Sequence, residues 1–398
     1  MTTGVLVMAY GTPRDRDDVA AYYTDIRRGR PPTPELLAAL VARYDAIGGT
    51  FPLRAITEAQ AAALQRALDE RGEYTVGLGL KHAAPRIEDG VTELAGRGVD
   101  RVVGLVLAPH YSRASIGDYA ARAAAAGASA GIPVTTVESW HLLPAYLDFL
   151  AAAVRTTLAA LPRGAEVVFT AHSLPEKAVA AGDPYPEQLH QTAAAVAERA
   201  GVDRWRVAWQ SAGRTADRWL GPDVLEVLRE SAGGPGVAVC ACGFVADHLE
   251  VAYDLDIEAR RLADELGLPF GRTPSVNDDP AVMTALAGLV AERAGRPITE
   301  RRGRCLTRGS SARTSRSSGA ASPGWRLLGR WSPPAPGSPC SRGHPGSAAS
   351  CTPRKSVGCR STRAPSRSSG APRVPPSWPA TSGWPATWST PPLSVPRW

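Results

Sequence analysis

GVAVCACGFVADHLEVAYDLDIEAR, residues 236–260, runs from an apolar stretch into a segment whose carboxylates recur at helical spacing, and its reading decides the fold. Asp247, Glu250, Asp254 and Glu258 are separated by 3, 4 and 4 positions. At 3.6 residues per turn those intervals predict one acidic stripe along a helix. No Lys or Arg falls between Asp247 and Glu258, and the stripe meets none at helical spacing until Arg261. Two readings stay open: a solvated acidic face, or a row of hard oxygen ligands that hands a divalent cation to a site near Glu250. His248 offers a softer ligand beside them. The alternating Cys240 and Cys242 read as core packing on a buried strand, in a reducing compartment.

Outward from this stretch, short apolar runs alternate with helical patterns. Strands are expected at Gly4–Tyr10, Thr75–Leu80, Arg101–Ala108 and Val134–Val137, then at Glu166–Thr170 and Arg206–Trp209, before the strand that opens the quoted segment. Thr57 with Gln60 predicts a capping box that starts a helix carrying Ala61, Leu64 and Leu68. The alternation predicts two doubly wound, Rossmann-like α/β domains with parallel sheets, over residues 1–145 and 146–300. In such sheets ligands bind outside the carboxyl ends of the strands. Tyr10, His82, His110, His172, Gln210 and the Asp247–Glu258 segment all follow predicted strands, so a shared cleft between the domains is expected.

Charge divides the chain unevenly. Residues 1–300 hold 29 Lys and Arg against 38 Asp and Glu, whereas residues 301–398 hold 16 basic residues and no acidic ones. The basic balance therefore belongs to the last stretch and does not make the first 300 residues a nucleic-acid binder. Residues 301–398 are rich in Arg, Ser, Pro, Gly and Trp without apolar periodicity, and are expected to be a disordered tail. Their composition reads as out-of-frame translation of a GC-rich gene beginning near Ile298–Cys305. A basic tail that stacks on single-stranded nucleic acid is the other reading. No signal peptide and no apolar run of membrane-spanning length is evident, so a cytoplasmic protein without a transmembrane segment is expected.

No dinucleotide fingerprint, phosphate loop, HExxH or closed Cys/His set follows the strands. What remains is an imidazole, carboxylates, a tyrosine and the cationic cluster Arg27, Arg28 and Arg30. That set suits a divalent metal handled beside an anionic organic ligand, since Fe²⁺ accepts imidazole and carboxylate together.

The chain resembles the ferrochelatase family, in its coproporphyrin III-using, Gram-positive-type branch, across Val5–Val290. The matching motifs include LVMAYGTP at Leu6–Pro13, AYYTDIRRGR at Ala21–Arg30, RYDAIGG at Arg43–Gly49, GLKHAAPRIEDGV at Gly79–Val91, AHSLPEK at Ala171–Lys177, WQSAGRT at Trp209–Thr215 and GFVADHLEVAYDLDIE at Gly243–Glu258. The resemblance implies Fe²⁺ insertion into coproporphyrin III in heme biosynthesis, by a monomer that meets other heme-pathway enzymes. It implies His172 and Glu250 as the catalytic, metal-handling pair, with Asp254 and Glu258 continuing an acidic path. It places Tyr10 on the opposite side of the macrocycle, with Arg27, Arg28, Arg30, His82, Gln210 and Ser211 on the substrate. A protoporphyrin IX ferrochelatase, a chelatase for another metal and a non-catalytic tetrapyrrole or metal carrier are the competing readings. High-GC relatives often ligate a [2Fe–2S] cluster through one internal cysteine and several near the C-terminus. This chain has no cysteine before Cys240, so no cofactor beyond substrate iron is expected. Thr50-Phe51-Pro52 also departs from the Ser-Pro common in relatives.

Overall fold

The computed structural model describes residues 2–295 apart from Arg214, and the tail expected over 301–398 lies outside them. Among the described residues eight parallel strands form two four-stranded sheets. The first half runs β1 (Thr3–Ala9), α1 (Val19–Ile26), α2 (Pro34–Ala46), α3 (Pro52–Asp69), β2 (Tyr74–Leu80), α4 (Ile87–Gly96), β3 (Arg101–Val106), α5 (Ile116–Ala130) and β4 (Val134–Val137). Then α6 (Pro144–Ala159) leads to β5 (Glu166–His172), α7 (Glu176–Ala180), α8 (Tyr185–Ala200), β6 (Trp205–Gln210), α9 (Val224–Glu230), β7 (Val237–Cys240), α10 (Leu249–Tyr253), α11 (Arg260–Glu265), β8 (Phe270–Arg272) and α12 (Pro280–Gly295).

Both sheets share one order. The first reads β2-β1-β3-β4 and the second β6-β5-β7-β8, with every pairing parallel. In each sheet the chain starts at an inner strand, steps to one edge and returns to the other side. The crevice such a reversal opens lies at the carboxyl ends of β1 and β5. Alternation along those strands builds the layers. Val5 and Val7 of β1, with Val167 and Phe169 of β5, enter one continuous core with α3, α6, α8 and α12. On the opposite face Leu6 and Met8 pack against α4 and α5, while Val168 packs against α9 and the α10–α11 segment. Phe169 has no exposed surface, and burying a side chain of that size stabilises by about 1.5–3 kcal/mol.

Several local expectations change. Thr57 does not cap a helix, because Pro52 starts α3 one and a half turns earlier; Thr57 Oγ1 donates to the Leu53 carbonyl, and Gln60 Nε2 donates to the Asn277 carbonyl. A proline at the first helical position needs no N–H and outweighs the sequence pattern that followed. Helix α2 carries its own start signal, with Thr33 accepting from the Leu36 N–H and Pro34 opening the helix. Strand β8 has only three residues and no alternation to betray it. The acidic helix is not continuous α-helix: Asp247 precedes it, α10 covers five residues, and Asp254–Ala259 forms a wider π-type turn. The stripe also has cations after all, supplied by other elements. Arg272 of β8 pairs with Asp256 at 2.7 Å and Asp247 at 3.3 Å, and Arg43 of α2 lies 3.7 Å from Asp254.

Candidate active site

A cavity of about 540 Å³ opens at the carboxyl ends of the two inner strands. Tyr10 follows β1 and His172 ends β5, so the equivalent position of each sheet faces one space. Gly243, after β7, lets the chain close on β5: an added Cβ would sit 2.3 Å from the Ala171 Cβ, next to His172.

His172 Nδ1 lies 2.6 Å from the Ser173 carbonyl, which can only accept, so this nitrogen carries the hydrogen. In the neutral ring Nε2 is then a bare lone pair. It lies 3.8 Å from Glu250 Oε1, while His248 Nε2 stands 3.5 Å from Glu250 Oε2. Burial pushes the Glu250 carboxyl up, but His172, His248 and Arg43 pull harder, and the net is a fall to about 2. Glu250 therefore stays ionised at any working pH. An imidazole lone pair beside a fixed carboxylate gives two metal donors, of which the imidazole can also take up a proton. Among the described residues no three His, Cys, Asp or Glu side chains form a closed metal shell, so an ion held here keeps coordination positions for other ligands.

Behind Glu250 the acidic segment differs residue by residue. Asp254 is 6% exposed; Ser211 Oγ donates to its Oδ2 at 2.5 Å, and the left-handed backbone of Ser211, φ 59°, aims that hydroxyl. Burial, with Glu250 and Glu258 nearby, pushes the Asp254 carboxyl up to about 6 against Ser211 and Arg43. Glu258 is half-buried one turn further on, and neither it nor Asp254 lines the cavity. Gln210 is buried outside the cavity wall and donates to the Glu250 carbonyl at 3.4 Å, holding the start of α10.

Across the cavity Tyr10 keeps 43% of its surface open and its ring packs 4.6 Å from that of His82. The surrounding walls push the Tyr10 phenol up, with Glu250 and Asp25 adding to the shift, so it stays protonated. The arginine cluster divides. Arg28 lines the cavity with φ 57°, whereas Arg27 lies over the Tyr23 ring and exchanges backbone-directed hydrogen bonds with Arg30 on an exposed loop. His110 is 2% exposed, donates through Nε2 to Thr192, and is held neutral by burial, which pushes it down to about 3.

Sequence reading did not anticipate Trp219, whose ring stands 6.3 Å from His172, nor Lys81, Tyr119 and Tyr185 in the wall. It also missed Arg43, although RYDAIGG was a legible motif. Nor did it foresee that Asp25 binds His82 and Arg86 together. Cys240 and Cys242 do not fit a cluster site: both are fully buried, and Cys242 Sγ donates to the Thr170 carbonyl.

Two matched parallel sheets with an imidazole–carboxylate pair in the cleft between them define a chelatase-type α/β protein. A family model described as ferrochelatase matches residues 2–294. A coproporphyrin III ferrochelatase from Geobacillus kaustophilus (strain HTA426) is 46% identical over 303 residues, covering 73% of this chain and 96% of the relative. One from Bacillus subtilis (strain 168) is 44% identical over 304 residues, covering 74% and 98%. Among solved structures, the cobalt complex of the sirohydrochlorin chelatase SirB from Bacillus subtilis subspecies spizizenii covers 74% of this chain and 96% of its own, at TM-score 0.46 and 14% identity. The chain belongs to the ferrochelatase family and is a metal chelatase.

Proposed function

We propose that this protein inserts Fe²⁺ into coproporphyrin III to give iron coproporphyrin in heme biosynthesis. The observation that carries this reading is the His172–Glu250 pair, 3.8 Å apart on the wall of a cavity faced by Tyr10 and Arg28. Insertion requires a flat macrocycle to lose two pyrrole protons while the ion loses its water. Walls that bend the ring expose the nitrogen lone pairs and lower that barrier, provided contacts at the ring's edge hold it. His172 Nε2 ligates iron in passing and, once the ion has left that lone pair, uses it to take a pyrrole proton, and Glu250 neutralises the imidazolium that forms. Asp254 and Glu258 lead the ion towards Glu250. Arg28 meets a propionate directly, and Arg27 and Arg30 attract the others from the rim. Tyr10, uncharged, covers the ring's other face. The reaction belongs in the cytoplasm, where buried thiols such as Cys240 and Cys242 stay reduced.

The test is anaerobic Fe²⁺ insertion into coproporphyrin III and protoporphyrin IX in parallel. Coproporphyrin is expected to be the better substrate by kcat/KM. Equal rates would replace the coproporphyrin III assignment with a general porphyrin one, and turnover of neither despite tight binding would favour a carrier.

A further inference from the structure

His82 and His172 are tied in the same way, one from each sheet. Each lines the cavity, and each has Nδ1 occupied by an oxygen at its back: the Ser173 carbonyl at 2.6 Å for His172, the Asp25 carboxylate at 2.7 Å for His82. The carboxylate is itself anchored. Arg86 donates to its other oxygen at 2.9 Å, and Arg86 is fixed in turn by a hydrogen bond to the Lys81 carbonyl. A carboxylate held ionised by a guanidinium only accepts, so His82 Nδ1 carries the hydrogen and Nε2 is left as the lone pair. Among the described residues Nε2 of His82 makes no hydrogen bond. The His82 ring stands beside Tyr10, and its backbone N–H donates to the Tyr10 carbonyl, so β1 and β2 fix it together.

We propose that Asp25 is a positioning residue that makes His82 the second proton acceptor of metal insertion, matching His172 across the cavity. This rests on the chelatase reading given above and extends it. A porphyrin gives up two protons, and the two inner imidazoles supply one lone pair each. In the His82 step a pyrrole N–H bond breaks, its electron pair remains on the ring nitrogen, and the proton bonds to Nε2. The resulting imidazolium is paired with Asp25. His172 receives the other proton beside Glu250, the doubly deprotonated ring takes Fe²⁺, and both protons pass to water once the product has left. A backing carboxylate raises the basicity of an imidazole and fixes its tautomer; behind a metal-bound imidazole the loss of such a partner costs about 10- to 100-fold, and a loss of that order is expected here.

The charged and titratable groups around His82 set the direction of the pH effect. Asp25 of α1 and Tyr10 after β1 face it, with Lys81 beside it in the chain, Arg86 at the start of α4 and Arg122 on α5. Burial pushes the imidazole down, and Lys81 and Arg122 push it the same way, while Asp25 opposes them. Loss of the Asp25 charge lets the His82 pKa fall further, so a step that needs neutral His82 begins at lower pH but with a weaker base.

The experiment measures kcat, KM and porphyrin binding by fluorescence from pH 5.5 to 9 for the full chain, Asp25→Asn and Asp25→Glu. Asp25→Asn is expected to bind coproporphyrin within about threefold of wild type, to lose about tenfold or more in kcat, and to carry its acid limb at lower pH; Asp25→Glu should restore part of the rate. A kcat equal to wild type, or a loss confined to KM and binding with an unmoved limb, would overturn the role of Asp25. An inactive wild type would instead overturn the chelatase reading and this inference with it. Nitrogen-15 histidine NMR of the unsubstituted protein supplies a readout independent of how the variants fold: His82 is expected as the Nδ1–H tautomer, and an Nε2–H signal would refute the arrangement.

Discussion

Replacing Asp254 by Asn is expected to stabilise the fold and to slow iron insertion, and the first effect follows from the site's electrostatics. The Asp254 carboxyl is 8% exposed and titrates at about 6 when folded, against 3.8 for the free side chain. The native state therefore binds the proton more tightly than the unfolded chain does. Between those two values folding becomes steadily less favourable as pH rises, by about 3 kcal/mol at pH 7.5 and only about 1 kcal/mol at pH 4.5. Asn imitates the protonated acid and still accepts from Ser211, so the substitution removes this cost. For a fold of this size the gain at pH 7.5 corresponds to a rise in Tm of about 4–5 °C, shrinking to about 1.5 °C at pH 4.5. Thermal unfolding at both pH values, beside iron-insertion rates, checks the chain of reasoning. A variant no more stable than wild type at pH 7.5, or equally stabilised at both pH values, would refute the raised pKa and its cause. A buried carboxylate kept at such a cost fits a residue retained for its chemistry.

Gly243→Ala should lower both stability and activity, because its Cβ would meet Ala171 at 2.3 Å; overpacking of this kind costs about 1–3 kcal/mol, and the displaced strand end carries His172, so Tm and kcat should fall together. Phe169→Ala, in the centre of the shared core with no exposed surface, should cost about 3–5 kcal/mol by denaturant unfolding. Arg28→Ala should raise KM for coproporphyrin III more than either Arg27→Ala or Arg30→Ala, since Arg28 alone of the three lines the cavity; equal effects would show that the loop acts only through its summed charge.

The layered α/β architecture was legible because buried parallel strands read as apolar runs, and seven of the eight announced themselves this way. The eighth, Phe270–Arg272, is too short to carry a pattern. Helices α1 and α2 were passed over because each buries only one residue, Val19 and Tyr44, so neither shows a distinct core-facing stripe; the Thr33-Pro34 start signal was the clue available. Of the strand ends read from sequence, Tyr10, His82, His110 and His172 line one cavity and Gln210 does not; strand direction alone brings those ends to the same side. Contacts from residues distant in sequence were not readable. Arg43 reaches Asp254 from α2, Arg272 reaches Asp247 and Asp256 from β8, and Asp25 reaches His82 across 57 positions. Each depends on packing that brings remote side chains together, and so the acidic stripe looked uncompensated when it is not. Spacing could not anticipate the π-type turn at Asp254–Ala259 either, because a local change of helical pitch leaves no periodic trace over six residues.

The central claim is that His172 accepts the proton and hands over the metal, and His172→Ala tests it most directly when porphyrin binding and iron insertion are measured on the same sample. Coproporphyrin III binding within about threefold of wild type, with insertion reduced by about 10²-fold or more, is the expected result. Insertion persisting within about threefold of the wild-type rate would contradict it.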